Sequence, residues 1–292
     1  MSQQKTPHPL LALLSNNKQA IGFTYGLSLT EQLLGLLVPW VIGVAINDLL
    51  LQQYTGLVLF VLVWIVLALL TAGRKMYDTR VFMRLYADLV IGVISRQRDT
   101  GTEPGKLVAR SVLIREIVDF FERDIPAIFA MIIAFIGSLV MLALFDWRIA
   151  LVALLMLIPV LTLNGLMWRP IKRINRSINN NLEQQPKLIG GGSLNRLKKY
   201  FSFLRLLRVK NSDIEARTWV SIELCVVLAS IYVFVYTASI PNIQAGTIFS
   251  VVTYFWNFQE SLDRLPILMQ SVSRVQDILQ RINQTDPHLI RP

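Results

Sequence analysis

Four polar side chains within the long apolar stretches of this sequence could recognise a substrate. Glu31 and Gln32 lie near the middle of the first stretch, Glu223 about a turn into the fifth, and Glu260 toward the end of the sixth. An ionised group in hydrocarbon is costly unless it faces protein or water, so each carboxylate is a functional candidate. We expect Glu31 to line a cavity and bind a cationic or polar part of a substrate. The alternative is an interhelical hydrogen bond to a Ser, Thr or Tyr hydroxyl.

The sixth apolar stretch also carries a dense aromatic group. Tyr254 and Trp256 could hold an organic cation over their ring faces, although aromatic side chains are common near membrane interfaces in any case. Glu260 could instead join Asp263 and Arg264 in an ion-pair cluster. The candidate substrate cavity therefore comprises Glu31, Gln32, Glu223, Tyr254, Trp256 and Glu260.

The residues that catalysis would need are missing. His8 and His288 lie in the terminal tails, and the single cysteine, Cys225, lies within an apolar stretch. These positions do not allow a pair of intramembrane haem ligands or a zinc cluster, and no hydrolase motif of the G-x-S-x-G or H-E-x-x-H type is present. We predict that the chain is not an enzyme and itself binds no cofactor or metal.

Six apolar stretches must position these side chains. Hydrophobic residues make up 53% of the sequence and charged residues only 16%, which is too apolar for an ordinary soluble domain. Each stretch is close to the roughly 20 residues that cross a bilayer, and helices satisfy their own backbone groups in lipid. The predicted spans are 20–46, 57–73, 125–145, 147–168, 219–238 and 246–265.

The positive residues predict the orientation of these spans. Of the 29 Lys and Arg residues, only Arg148 lies in a connection on the side opposite the termini. Cytoplasmic loops retain Lys and Arg, so we expect both termini in the cytoplasm, with an N-terminal segment 1–19 and a C-terminal tail 280–292. This orientation accounts for most of the net charge of +10, and no nucleic-acid motif accompanies it. We predict a multi-pass protein of the bacterial inner membrane without a nucleic-acid partner.

The two long cytoplasmic connections have helical patterning. In 194–207, apolar residues recur at positions 194, 197, 201, 204 and 207, which is the spacing of an amphipathic helix. The fold class predicted is therefore an all-α membrane protein, with six transmembrane helices extended into long cytoplasmic helical loops. An amphipathic helix on the membrane surface is the alternative for the second loop.

This arrangement resembles the transmembrane domain of an ABC exporter over nearly the whole chain, 20–279. Three stretches are similar to family segments: Ala143-Leu144-Phe145-Asp146-Trp147-Arg148-Ile149-Ala150-Leu151 followed by Ile158-Pro159-Val160; Thr100-Gly101-Thr102-Glu103-Pro104-Gly105-Lys106-Leu107-Val108-Ala109-Arg110; and Ser271-Val272-Ser273-Arg274-Val275-Gln276-Asp277-Ile278-Leu279. The resemblance implies the exporter-type fold, with spans four and five crossing to the opposite half of a dimer.

The sequence departs from the fused members of that family because no nucleotide-binding domain follows before Pro292. The nearest approach to the phosphate-binding pattern G-x-x-x-x-G-K-[ST] runs from Gly101 to Leu107; it is one residue short and has leucine at the hydroxyl position. We therefore expect ATP and Mg²⁺ to be bound by a partner subunit.

By the same resemblance, the tips of the cytoplasmic loops, near 95–103 and 189–199, would contact that ATPase. The candidate coupling residues are Arg96, Arg98, Glu103, Arg196, Lys198 and Lys199, and the alternative is that they are ordinary positive-inside residues.

The implied function is a permease subunit that pairs with a second copy or a related subunit, driven by a separate ABC ATPase, for a small or amphipathic substrate. The alternatives are an ATPase-free scaffold or regulatory protein that kept the fold, and a secondary transporter.

Overall fold

The computed structural model describes residues 17–98, 104–191 and 193–285, and these residues form helices without any strand. In chain order the helices are α1 (Lys18–Leu50), α2 (Thr55–Arg98), α3 (Pro104–Asp119), a π-helical turn (Phe120–Asp124), α4 (Ile125–Phe145), α5 (Trp147–Leu155), α6 (Leu157–Gly191), α7 (Leu194–Ser239) and α8 (Ala245–Thr285).

Five helical segments of the described chain are long and apolar enough to cross a membrane: Lys18–Leu50, Thr55–Ser95, Ser111–Phe145, Trp147–Leu182 and Leu194–Ser239. They contain the first five predicted spans. The sixth, 246–265, lies at the start of α8, which is not among the five because polar residues such as Asn257, Gln259 and Glu260 interrupt it. Much of this part of α8 is buried by other helices, so its polar groups need not face lipid. A sixth span therefore remains a prediction.

Two helices are much longer than a bilayer is thick. α2 has 44 residues and α7 has 46, which at about 1.5 Å per residue gives lengths of roughly 66 and 69 Å. A hydrocarbon core of about 30 Å covers less than half of either helix. The prediction of membrane helices that continue into long helical loops is confirmed.

The chain separates into two compact units. Unit 1 comprises Met1–Met141 and Asn242–Pro292, and unit 2 comprises Leu142–Pro241. Unit 1 thus holds α1 to α3, most of α4, and α8, whereas unit 2 holds α5 to α7.

In unit 1, α1, α2 and α8 meet closely where the α1–α2 turn lies, which we call the turn end. Gly43 and Gly246 are in backbone contact, since a Cβ atom built on Gly246 would lie 1.8 Å from the Gly43 carbonyl oxygen. The Asn47 side chain accepts a hydrogen bond of 2.7 Å from the Gly246 N–H, and Asp48 accepts one of 2.7 Å from the Gly56 N–H. Small residues allow such approaches between membrane helices.

In unit 2, the loop before α5 is fixed to the end of α7. Asp146 caps α5 by accepting a hydrogen bond of 2.8 Å from the Arg148 N–H, and its other oxygen accepts one of 2.7 Å from the Tyr236 hydroxyl. The hydrogen bonds from Tyr236 and from the Arg148 backbone lower the pKa of the Asp146 carboxyl below its ordinary value, because both favour the carboxylate.

Candidate functional site

A charged group in unit 1 joins α1 to α2. The Thr71 hydroxyl donates a hydrogen bond of 2.9 Å to Glu31 Oε1, and Arg74 Nε donates to Glu31 Oε2. Arg74 Nη1 also donates to Asp78 Oδ2 at 2.8 Å. The side chains are mostly shielded from solvent, with 12% of Glu31, 18% of Arg74 and 6% of Asp78 accessible. One guanidinium therefore binds two carboxylates.

Helical spacing explains how these side chains meet. Residues 71, 74 and 78 lie on one face of α2, and residues 24, 28 and 31 lie on one face of α1. Thr24 and Ser28 are fully buried. We call these six residues the α1–α2 polar cluster: Thr24, Ser28, Glu31, Thr71, Arg74 and Asp78.

The cluster lies at a definite depth in unit 1. Nineteen residues separate Glu31 from Leu50, and nineteen separate Thr55 from Arg74, so each charge is about 28 Å from the turn end. That distance is close to the roughly 30 Å thickness of the hydrocarbon core. A turn end at one membrane surface would put Glu31 and Arg74 near the opposite surface, whereas the sequence places Glu31 near the middle of the first stretch; its depth in the membrane stays a prediction.

The charges of the cluster do not balance. With all three ionisable groups charged, two carboxylates face one guanidinium, which leaves one net negative charge in a shielded site. Low local polarity strengthens the attraction of Arg74 for both partners, and it makes the loss of that residue expensive. A cationic group of a substrate could bind Glu31 only in competition with Arg74.

The other predicted cavity residues lie in different environments. Gln32 is half-buried on α1, and Glu223 is half-buried on α7 in unit 2. Tyr254 is fully buried and donates a hydrogen bond of 2.8 Å to the Leu36 carbonyl. Trp256 is 51% exposed. A substrate role for these residues stays a prediction.

Glu260 lies in unit 1 at a small surface pocket. It accepts a hydrogen bond of 2.5 Å from Arg264 one helical turn away, and both side chains are exposed. The pocket has a volume of about 80 Å³, and Met131 and Asn257 also line it. A volume of this size could hold only a few atoms of a substrate.

The candidate coupling residues lie at helix ends where the structure describes them. Arg96 and Arg98 belong to the last turn of α2, and Glu103 lies outside the described residues. Arg196, Lys198 and Lys199 are exposed on the first turns of α7.

A hydrogen bond between α6 and α7 holds the start of α7 in place. The Tyr200 hydroxyl donates to the Asn181 carbonyl of α6 at 2.9 Å. The positive side chains at positions 196, 198 and 199 are therefore presented on an anchored helix.

Sequence reasoning missed Arg74 as the ion-pair partner of Glu31, and it missed Asp78 as the second carboxylate that Arg74 binds. Both follow the predicted second span, 57–73, and were counted as positive-inside or loop residues. The signal available in the sequence was helical spacing. Successive members of the α2 set (71, 74 and 78) and of the α1 set (24, 28 and 31) are three or four residues apart, so each set lies on one face of its helix.

A π-helical turn joins α3 to the membrane part of α4, and Pro126 explains its hydrogen bonding. The Ile125 N–H donates to the Phe120 carbonyl, so the next bond in the same register would need an N–H at position 126. Proline has none. The Phe121 carbonyl instead accepts a hydrogen bond of 3.1 Å from the Tyr25 hydroxyl of α1. Turns of this type are frequent at functional sites.

The comparison with known proteins agrees with this architecture. Residues 10–246 match the family model described as ABC transporter transmembrane region. No curated protein sequence matches the chain significantly. A match over most of the chain, together with long apolar helices that extend beyond the bilayer, identifies this protein as a member of the ABC transporter transmembrane family.

Proposed function

We propose that this chain is the permease subunit of an ABC transporter whose ATPase is a separate polypeptide. Two copies, or one copy and a related subunit, would form the translocation pathway in a bacterial inner membrane. Both termini and the α2–α3 and α6–α7 connections would face the cytoplasm, and the turn end of unit 1 would face outward. ATP binding and release on the partner would drive the change between inward- and outward-facing states.

The observation that carries this proposal is the family match over residues 10–246, and helix length supports it. α2 and α7 are long enough to reach well beyond the bilayer. Rigid helices of this length can transmit a displacement at their cytoplasmic ends to the membrane. The positive residues at positions 196, 198 and 199 are exposed at one such end.

The division into units supports a swapped dimer. α5, α6 and α7 form a compact unit of their own, and the rest of the chain forms another. A unit that has its own internal contacts can pack on a second subunit without unfolding. We propose that unit 2 packs against unit 1 of the opposite subunit.

We also propose that the α1–α2 polar cluster contributes to substrate recognition through Glu31. Its carboxylate is held by Thr71 and Arg74, so a cationic substrate group would have to displace the guanidinium. Such an exchange keeps the carboxylate paired in both states, which limits the cost of desolvation.

The test is purification of the tagged protein from its native membrane in a mild detergent, followed by mass spectrometry of bound proteins. We expect an ABC ATPase in stoichiometric amounts. A triple variant with Arg196→Gln, Lys198→Gln and Lys199→Gln should lose it. The matched control is the triple variant Arg205→Gln, Arg208→Gln and Lys210→Gln, which removes three exposed charges farther along the same helix.

Absence of an ATPase under every condition would overturn the proposal and favour the scaffold alternative. Flux that needs a proton gradient and no ATPase, and that is lost in Glu31→Gln, would favour the secondary transporter.

A further inference from the structure

An open groove on α6 in unit 2 has the composition of a phosphate-binding site. It has a volume of about 640 Å³, and Trp168, Lys172, Asn175, Arg176 and Asn179 contribute to its lining. These positions repeat at intervals of three and four residues, so they follow one face of the helix. Two cationic groups and two amides offer hydrogen-bond donors to an anion.

The charged residues around this groove are all positive. Arg169, Lys172, Arg173 and Arg176 are all exposed, and none forms an ion pair with another described residue. No acidic residue occurs from position 147 to position 182. Four positive charges within eight residues, none with an ion-pair partner among the described side chains, favour an anionic partner from outside the chain.

The groove begins at the end of the predicted fourth span, 147–168. Twenty-one residues separate Trp147 from Trp168, a helical distance of about 32 Å, which is close to the thickness of the hydrocarbon core. The two tryptophans are 64% and 65% exposed, as expected for side chains at the two membrane interfaces. The cationic groups after Trp168 therefore lie at the level of lipid headgroups.

We propose that this groove binds the phosphate of an anionic glycerophospholipid from the adjacent leaflet. Lys172 and Arg176, one helical turn apart, contact the phosphate; Arg169 and Arg173 add long-range attraction, and Trp168 packs on the glycerol and upper acyl region. Clusters of basic residues just beyond a membrane helix bind anionic lipids in this way. The leaflet is cytoplasmic under the proposed topology, on which this assignment rests.

The test counts phosphatidylglycerol bound to the full-length protein by native mass spectrometry, with phosphatidylcholine as the reference lipid. Removing two charges with Lys172→Gln and Arg176→Gln should weaken phosphatidylglycerol binding about 30-fold and weaken phosphatidylcholine binding much less, because the choline cation offsets the charge of its phosphate. The matched control, Arg205→Gln with Arg208→Gln, removes equal charge about 16–21 Å before the start of the fifth span, farther from the predicted span ends than Lys172 and Arg176, and should have little effect.

Equal loss of binding in both double variants, or loss in neither, would overturn the proposal. Competition by inorganic phosphate at concentrations that leave the protein folded would also overturn it, because the site would then recognise a free anion. The measurement needs no ATPase and no transport, so its failure is distinguishable from failure of the proposed function.

A second measurement keeps all four cationic side chains around the groove and so does not depend on folding of the charge variants. Brominated phosphatidylglycerol should quench the fluorescence of Trp168, obtained as the difference between the wild-type protein and Trp168→Phe, more strongly than brominated phosphatidylcholine. Equal quenching by the two lipids would show that Trp168 contacts bulk lipid only and would refute the assignment.

Discussion

The contact between Gly43 and Gly246 gives the sharpest prediction for stability. A methyl group added by Gly246→Ala would lie 1.8 Å from the Gly43 carbonyl oxygen and 2.7 Å from Asn47 Oδ1. The first atom belongs to the backbone, and the second ends a side chain that is held in place by its hydrogen bond from the Gly246 N–H. α1 and α8 would have to separate by more than 1 Å (~1–1.5 Å for ordinary van der Waals contact).

Two terms set the size of the expected loss. Overpacking of a well-packed contact costs about 1–3 kcal/mol. Separation of the helices also stretches the hydrogen bond of 2.7 Å between the Gly246 N–H and Asn47, which adds about 1 kcal/mol. We therefore expect Gly246→Ala to destabilise the protein by roughly 2–4 kcal/mol.

The matched control is Gly35→Ala on α1. A Cβ atom at this position meets nothing within 4 Å, and alanine in a helix interior is about 1 kcal/mol more favourable than glycine. We expect this variant to be as stable as the wild-type protein or slightly more stable.

The assay is the loss of monodisperse protein on heating in detergent, measured by size-exclusion chromatography. Because unfolding of such a protein is often irreversible, the three proteins are compared at one heating rate. Gly246→Ala should lose its monodisperse peak several degrees below the other two. A Gly246→Ala protein as stable as Gly35→Ala would refute the close approach of α1 and α8.

Three further variants test the contacts described above. Arg74→Met should destabilise the protein by about 3 kcal/mol in the same assay, because it leaves two shielded carboxylates without their cation; unchanged stability would contradict the cluster. Tyr25→Phe should cost about 1–2 kcal/mol by leaving the Phe121 carbonyl unpaired, whereas Tyr54→Phe at an exposed position should be neutral. Asp146 contributes stability above its ordinary pKa and loses that contribution as the pH falls through its lowered folded-state pKa, so Asp146→Asn should be less stable near neutral pH, and the difference should disappear in strong acid.

The fold class could be predicted because it depends on local features of the sequence, each of which can be read without knowing which helices pack together. Apolar run length, positive charge and helical periodicity each reflect a local cost of placing groups in lipid or water, and the first five spans lie in five membrane-length helices. The sixth span was harder, since α8 carries polar residues such as Gln259 that other helices shield. Burial by neighbouring helices is not visible in hydropathy.

The partner of Glu31 could not be predicted from its own surroundings in sequence. The contact with Arg74 depends on the depth at which α1 and α2 pair, and that depth is set by contacts at the turn end, about 28 Å away. The sequence indicates both carboxylates and the arginine but not their alignment. A carboxylate within an apolar run is therefore better treated as half of an unknown ion pair than as a free substrate contact.

The turn end of unit 1 and the level of Glu31 are held by different kinds of contact, which bears on how unit 1 could move. At the turn end, the backbones of α1 and α8 touch at Gly43 and Gly246, and hydrogen bonds to main-chain N–H groups join the helices. At the depth of Glu31, one exchangeable ion pair, Arg74–Glu31, joins α2 to α1, and Arg74 also pairs with Asp78 on its own helix. Main-chain contacts of this closeness resist sliding and separation, whereas an arginine with two carboxylates can change partners while remaining paired. Movement of α1 against α2 should therefore be easier at the level of Glu31 than at the turn end, while the buried cluster that includes Ile21, Phe82 and Leu85 holds the two helices together beyond it.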